Sequence, residues 1–183
     1  RSATELLTSV ERWNPHVLTL RGRCSPDDHL PFRALDPVVD QLARWMWRLP
    51  QATQRALVPA HAIDLLRVFP VLAHVTTILD YAPLADADVE DVETRRRRAM
   101  SALGALLRGV AALHPVLVWI DDLHWADADS RWALASLLQA EPPPPITLLL
   151  TRRPDDLTTT LLDRTAPQDR KSTRLNSSHL VIS

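Results

Sequence analysis

The chain has 183 residues, with 21 Lys and Arg against 22 Asp and Glu, a formal net charge of −1, and 46% hydrophobic residues. That length suits one domain or part of one, and a near-neutral chain supplies no global field to draw in nucleic acid or an anionic membrane. The one cysteine, Cys24, excludes an internal disulfide and fits a reducing cytoplasm, and no apolar run reaches the ~18 residues that span a bilayer.

Residues 3–13 carry Leu6, Leu7, Val10 and Trp13 at the spacing of one helical face, and Asn14-Pro15 ends the helix. His16 to Leu20 reads as a short buried strand, after which Gly22 allows a turn. Arg21 and Arg23 could reach phosphate or simply solvate a strand end. Cys24 reads as a small buried apolar residue. Ser25 to Leu30 is loop. Residues 31–48 are expected to be helical, with Pro31 or Pro37 in the first turn and Asp36 as a cap. Val38, Val39, Leu42, Trp45, Met46 and Leu49 form its buried stripe. Two short helices, 52–58 and 60–68, are divided by Pro59, and Val68 to Leu72 is an apolar anchor. Residues 76–89 turn acidic and read as a surface excursion.

The clearest helix spans 91–113. Asp91 can cap it, Glu93 precedes Arg97 by one turn, and Met100, Leu103, Leu106, Leu107, Val110 and Leu113 line one face. The basic run Arg95 to Arg98 reads as the solvated first turns of this helix rather than as a nucleic-acid patch. Val116 to Ile120 is an uninterrupted, β-branched apolar run, the pattern of a strand buried on both faces of a parallel sheet. It stops at Asp121 and Asp122. Beyond them, Asp127 or Asp129 can cap a helix from 130 to 140. Pro142 to Pro145 is a stiff polyproline connection, and Ile146 to Leu150 is another buried strand running into Thr151-Arg152-Arg153-Pro154.

The acidic pair is where chemistry is expected. Ligands of open α/β sheets sit off the carboxyl ends of the strands. Asp121 and Asp122 there are either a solvated acidic turn or the carboxylates of a Walker B strand. In the second case Asp121 holds Mg²⁺ with phosphate oxygens and Asp122 orients or deprotonates water. His124 lies among Asp121, Asp122 and Asp127, but no second histidine stands two to four residues away, so a dedicated zinc site is disfavoured. An arginine at the end of the 146–150 strand is well placed to meet a γ-phosphate, where charge builds during transfer.

The block Asp121-Asp122-Leu123-His124-Trp125-Ala126-Asp127, with Ser130 three residues on, resembles the Walker B segment of AAA-type, STAND-class ATPase modules in bacterial signalling regulators. Other segments agree in order: Leu20 to Cys24 with Pro31 to Asp36, Val68 to Leu72, Arg95 to Ala99, and Leu148 to Pro154. The likeness covers about residues 1–160 and is strongest for modules associated with serine/threonine kinases. It implies a three-layer P-loop NTPase fold, with Asp121 binding Mg²⁺ and Asp122 positioning water. Arg153 matches the family's sensor arginine, with Arg152 as its near rival at the nucleotide. ATP and Mg²⁺ are the implied cofactors. A kinase, cyclase or DNA-binding domain fused in a longer parent is the implied partner, with room for an oligomer.

A P-loop reads G-x-x-x-x-G-K-[ST]. This chain has three glycines, Gly22, Gly104 and Gly109, and none precedes a lysine. By the resemblance, the P-loop and its strand come just before a helix like 3–13. The expectation is therefore an interior piece, 1–168, of an ATPase domain, without the first strand and Walker A loop and inactive by itself. Family topology implies that this first strand belongs beside 146–150, leaving that strand as a bare edge. Residues 169–183 resemble one reading frame of a common sequencing adapter and contain the only lysine, Lys171, so they are expected to be a non-native tail. Two rival functions stand beside the regulatory ATPase: a non-hydrolysing scaffold that keeps the fold, and a metal-dependent hydrolase.

Overall fold

The computed structural model describes residues 3–26, 30–81, 91–152 and 178–182. It has the α/β class expected, a parallel sheet flanked by helices. Strands β1 (Leu18–Arg23), β2 (Val116–Asp121) and β3 (Thr147–Thr151) lie side by side in sequence order, all parallel. A fourth strand, β4 (Ser178–Ile182), runs parallel along the far side of β3.

Two faces of the sheet are covered unequally. Leu20, Val118, Ile120, Leu148 and Leu150 enter the main core. Opposite them, Leu117 and Leu149 meet Leu7 of α1 (Ala3–Trp13), with Val17 and Trp119 packed around. The strands are therefore apolar on both faces, which is why β2 reads as a continuous apolar run. The main core is completed by α2 (Asp36–Trp47), α3 (Gln51–Leu57), α4 (Ala62–Val68), a 3₁₀ turn (Pro70–His74), α5 (Thr76–Tyr81), α6 (Val92–Ala111) and α7 (Ala128–Leu138). No helix among the described residues is long and apolar enough to cross a membrane.

Several boundaries differ from the sequence expectation for physical reasons. The first strand begins and ends later than 16–20. Its register pairs Leu18 with Val116 and Arg23 with Asp121, so Arg21, Gly22 and Arg23 are strand and not turn. Gly22 serves close approach: a Cβ there would stand 2.3 Å from the Ala34 carbonyl oxygen. The helix expected at 31–48 starts only at Asp36, with Leu35 at its N-cap and Pro37 in the first turn; Asp36 caps nothing. Residues 31–35 are instead a turn in which Phe32 takes a left-handed backbone, φ 61°. Asp91 occupies the N-cap of α6 without a side-chain bond, whereas Glu93 and Arg97 pair at 3.3 Å. In the 76–89 excursion Thr77 and Ile78 are buried, so its start is a helix docked on the core; 82–90 lie outside the described residues. The basic run is only partly solvated. Arg96 sits 5.5 Å from the Phe32 ring and 4.9 Å from the Trp132 ring, and its guanidinium pairs with Asp129.

Of the tail at 169–183, only β4 is described. It lies on the edge of β3 expected to be bare, pairing Thr147 with Ser178 through Thr151 with Ile182.

Candidate functional site

Parallel strands of similar length bring their C-terminal ends to one edge, and register decides which side chains meet there. Arg23 pairs with Asp121 across β1 and β2, and Ile120 pairs with Leu150 across β2 and β3. Asp121, Asp122, Thr151 and Arg23 thus share one end of the sheet. The Thr151 hydroxyl donates to Asp121 Oδ1. Thr151 Oγ1 in turn accepts from the Asp122 backbone N–H at 3.1 Å. Thr151 therefore ties the first carboxylate to the backbone of the second.

Asp122 leaves the strand in a left-handed conformation, φ 56° and ψ 41°. For a residue with a Cβ this costs roughly 1–2 kcal/mol, least for Asp and Asn. The following turn offsets that cost. The N–H of Trp125 donates to the Asp122 carbonyl at 2.9 Å, and Arg131 donates to the His124 carbonyl at 3.1 Å. The bend turns the Asp122 side chain away from the strand direction, to within 3.6 Å of the Arg23 guanidinium. That pair is open to water, with Arg23 76% exposed, so it steers more than it stabilises.

Asp127 does different work. It caps α7, accepting from the Ser130 N–H at 2.8 Å and from the Ser130 hydroxyl at 2.5 Å. It also accepts from the N–H groups of Phe32 and Arg33, each at 3.2 Å. Ser130 Oγ in turn accepts from the Ala34 N–H at 3.1 Å. Burial pushes the Asp127 carboxyl up, but the bonds from Ser130 and from backbone N–H groups outweigh it and hold the carboxyl below its usual range. Cys24 is buried, with its N–H on the Asp121 carbonyl at 3.0 Å. Burial, followed by the charges of Asp127, Asp122 and Asp121, raises its thiol to about 12. It is the inert small side chain expected.

The site residues expected from sequence thus divide. Asp121 and Asp122 stand together at the sheet end. Arg152 follows β3 directly and is half-buried; Arg153 lies outside the described residues. His124 lies against Trp125, with ring centroids 4.9 Å apart and planes tilted by 45°. Among the described residues no three His, Cys, Asp or Glu side chains converge as a metal site. Asp121 fits Mg²⁺ in the manner of a nucleotide site: one carboxylate at an open sheet end, oriented by a hydroxyl, with phosphate and water left to complete the shell. Thr151 and Arg23 were missed. Thr151 is the residue after the apolar run of β3, and the position paired beyond Ile120–Leu150 would have singled it out. Arg23 was read as a phosphate contact or a solvated strand end, and not as a partner of Asp122.

A family model described as AAA ATPase domain matches residues 1–150. No curated protein and no solved structure shows significant similarity to the chain.

Proposed function

Because the chain belongs to the AAA ATPase domain family, we propose that it is the Walker B part of a Mg²⁺-dependent regulatory ATPase. The observation that carries this reading is the Asp121–Asp122 pair at the carboxyl end of a buried parallel strand, with Thr151 fixing Asp121. Asp121 would hold Mg²⁺, which, when bound with nucleotide, neutralises phosphate charge. Asp122 would orient the attacking water and accept its proton. Its left-handed backbone, which turns the carboxylate off the strand end, and the neighbouring Arg23 guanidinium suit that role. Arg153, with Arg152 as the alternative, would stabilise charge on the γ-phosphate. In a STAND-class protein such a module is a switch: nucleotide favours one conformation and hydrolysis releases it, passing the signal to a fused kinase, cyclase or DNA-binding domain in the cytoplasm.

Nothing in residues 1–183 matches a phosphate-cradling loop, and the three glycines are at 22, 104 and 109. Two of those, Gly104 and Gly109, lie within helix α6. Bare carboxylates repel phosphate. The chain alone is therefore expected to show no useful Mg-ATP affinity, and this is also what a non-hydrolysing scaffold predicts. The two readings separate in a longer chain that carries a G-x-x-x-x-G-K-[ST] strand and loop ahead of Arg1. There Asp122→Asn should keep Mg-ATP binding by calorimetry and lower turnover about 10²–10⁴-fold, the usual worth of a positioned base. Unchanged turnover would remove Asp122 from the mechanism. Micromolar Mg-ATP binding by the chain as it stands would mean that the phosphate site lies within these residues.

A further inference from the structure

The acidic block carries a third carboxylate, Asp127, whose oxygens are taken up by N–H groups and by the Ser130 hydroxyl. Asp127 and Ser130 together accept the N–H groups of three successive residues, Phe32, Arg33 and Ala34. The left-handed backbone at Phe32 is what turns consecutive N–H groups toward one point, the geometry of an anion-binding nest. Here the anion is supplied by the protein itself, from a segment about 95 residues away in the chain. On its other side the same segment presses its Ala34 carbonyl on Gly22 of β1. Residues 32–34 are therefore wedged between the end of β1 and the turn after β2. The wedge is also gripped through Phe32, whose ring meets Phe69 at 5.7 Å and Arg96 at 5.5 Å.

We infer that Asp127 and Ser130 are positioning residues. They form a latch that holds residues 32–34 between β1 and the start of α7, and they are not ligands of metal or nucleotide. Three observations carry this. Among the described residues, the hydrogen bonds given to Asp127 come from the wedge and from the first turn of α7. Ser130 is fully buried and its hydroxyl is committed on both sides, donating to Asp127 and accepting from Ala34. Cys24 leads from β1 toward this segment and is buried in one cluster with Phe32, Ala34 and Leu35, so the latched state keeps the thiol covered.

That the Asp121–Asp122 turn serves nucleotide rests on the preceding section; the latch does not, and its test needs no nucleotide. The full chain is used. Amide hydrogen exchange is measured by NMR at increasing sub-denaturing urea, beside labelling of Cys24 by a maleimide. In Asp127→Ala the amides of 32–34 should exchange at least about tenfold faster, the effect of losing charge-assisted bonds, while β2 and β3 amides change far less. Cys24 labelling should rise with them, and its rate should be nearly independent of urea, the signature of a local opening. Asp127→Asn, which keeps one acceptor, should lie between. Ser130→Ala serves as a second variant, because it removes the acceptor of Ala34 and leaves the Asp127 cap on the Ser130 N–H intact. Faster exchange at 32–34 there, with α7 unaffected, separates the latch from helix capping and also covers the case in which Asp127→Ala fails to fold. If exchange rises equally across β1, β2 and β3, or if Cys24 labelling follows urea as global unfolding does, the residues only add stability and the latch is refuted.

Discussion

Replacing Gly22 by Ala should destabilise the protein even though the same change in an ordinary strand stabilises it. Gly22 has no positive φ, so its backbone suits any residue and Gly→Ala would normally gain ~0.5–1 kcal/mol from the unfolded chain. Space decides the sign. The new Cβ would stand 2.3 Å from the Ala34 carbonyl oxygen and 3.2 Å from Val38 Cγ2, whereas real Cβ atoms essentially never come under 3.0 Å. One backbone must retreat by about 0.7 Å. Strand β1 is held along its full length by β2, so the wedge at 32–34 yields. Its retreat stretches the 3.1 Å bond from Ala34 to buried Ser130 and the two bonds to Asp127. Overpacking costs ~1–3 kcal/mol and a weakened buried hydrogen bond ~1–3 kcal/mol. Together, less the entropic gain, a net loss of about 2–4 kcal/mol is expected. In a chain of this size that is a fall in melting temperature of roughly 5–15 °C. Urea unfolding gives the free energy, and the double variant with Ser130→Ala gives the coupling. The two losses should overlap by about 1 kcal/mol, since both act on one bond. A Gly22→Ala protein as stable as the parent, or two strictly additive losses, would refute the wedge.

Arg96→Lys keeps the charge but loses the planar contact with Phe32 and Trp132, so it should cost ~1–2 kcal/mol in chemical unfolding, while Arg97→Lys, on an exposed pair, should stay within about 0.5 kcal/mol. Equal effects would return the whole basic run to the solvated face expected from sequence. Removing 169–183 uncovers the edge of β3, so the shortened chain should self-associate with concentration in analytical ultracentrifugation. A truncated chain that stays monomeric at roughly 100 μM would mean that the edge needs no cover.

The strands were legible because each is an apolar run bounded by a change of chemistry: Val116 to Ile120 stops at Asp121, and Ile146 to Leu150 stops at Thr151. The first strand was misjudged by its charges. Arg21 and Arg23 look like a turn around Gly22, but alternate residues of a strand face opposite sides, and both arginines point outward while Gly22 alone faces the core. The acidic pair could be placed at a strand end by pattern alone. Thr151 and Arg23 could not, because their nearness to Asp121 and Asp122 depends on the register between strands 30 or more residues apart. The latch was hidden for the same reason. Asp127 reads as a helix cap from its neighbours in sequence, and it is one, but it also accepts from Phe32 and Arg33, which lie 95 and 94 residues away in the chain. Local pattern reveals what a residue can offer; only the fold reveals who accepts.

Strand β4 sets geometry apart from chemistry. A parallel edge asks of its neighbour an extended backbone with free N–H and C=O groups, and main-chain pairing reads little of the sequence that supplies them. Ser178-His179-Leu180-Val181-Ile182 ends in β-branched residues and meets that demand along all five positions of β3. The pairing reports what β3 requires of a neighbour more than the identity of residues 178–182. The expected family topology puts a strand in this same place, and there the strand leads into a glycine-rich loop that cradles phosphate. The tail from 169 onward contains no glycine. It can complete the hydrogen-bond ladder of the sheet but does not carry the G-x-x-x-x-G-K-[ST] pattern of a phosphate loop. A filled edge and the expected lack of phosphate affinity are therefore compatible. Edge pairing needs only an extended backbone, whereas phosphate binding needs specific residues in the loop that follows it.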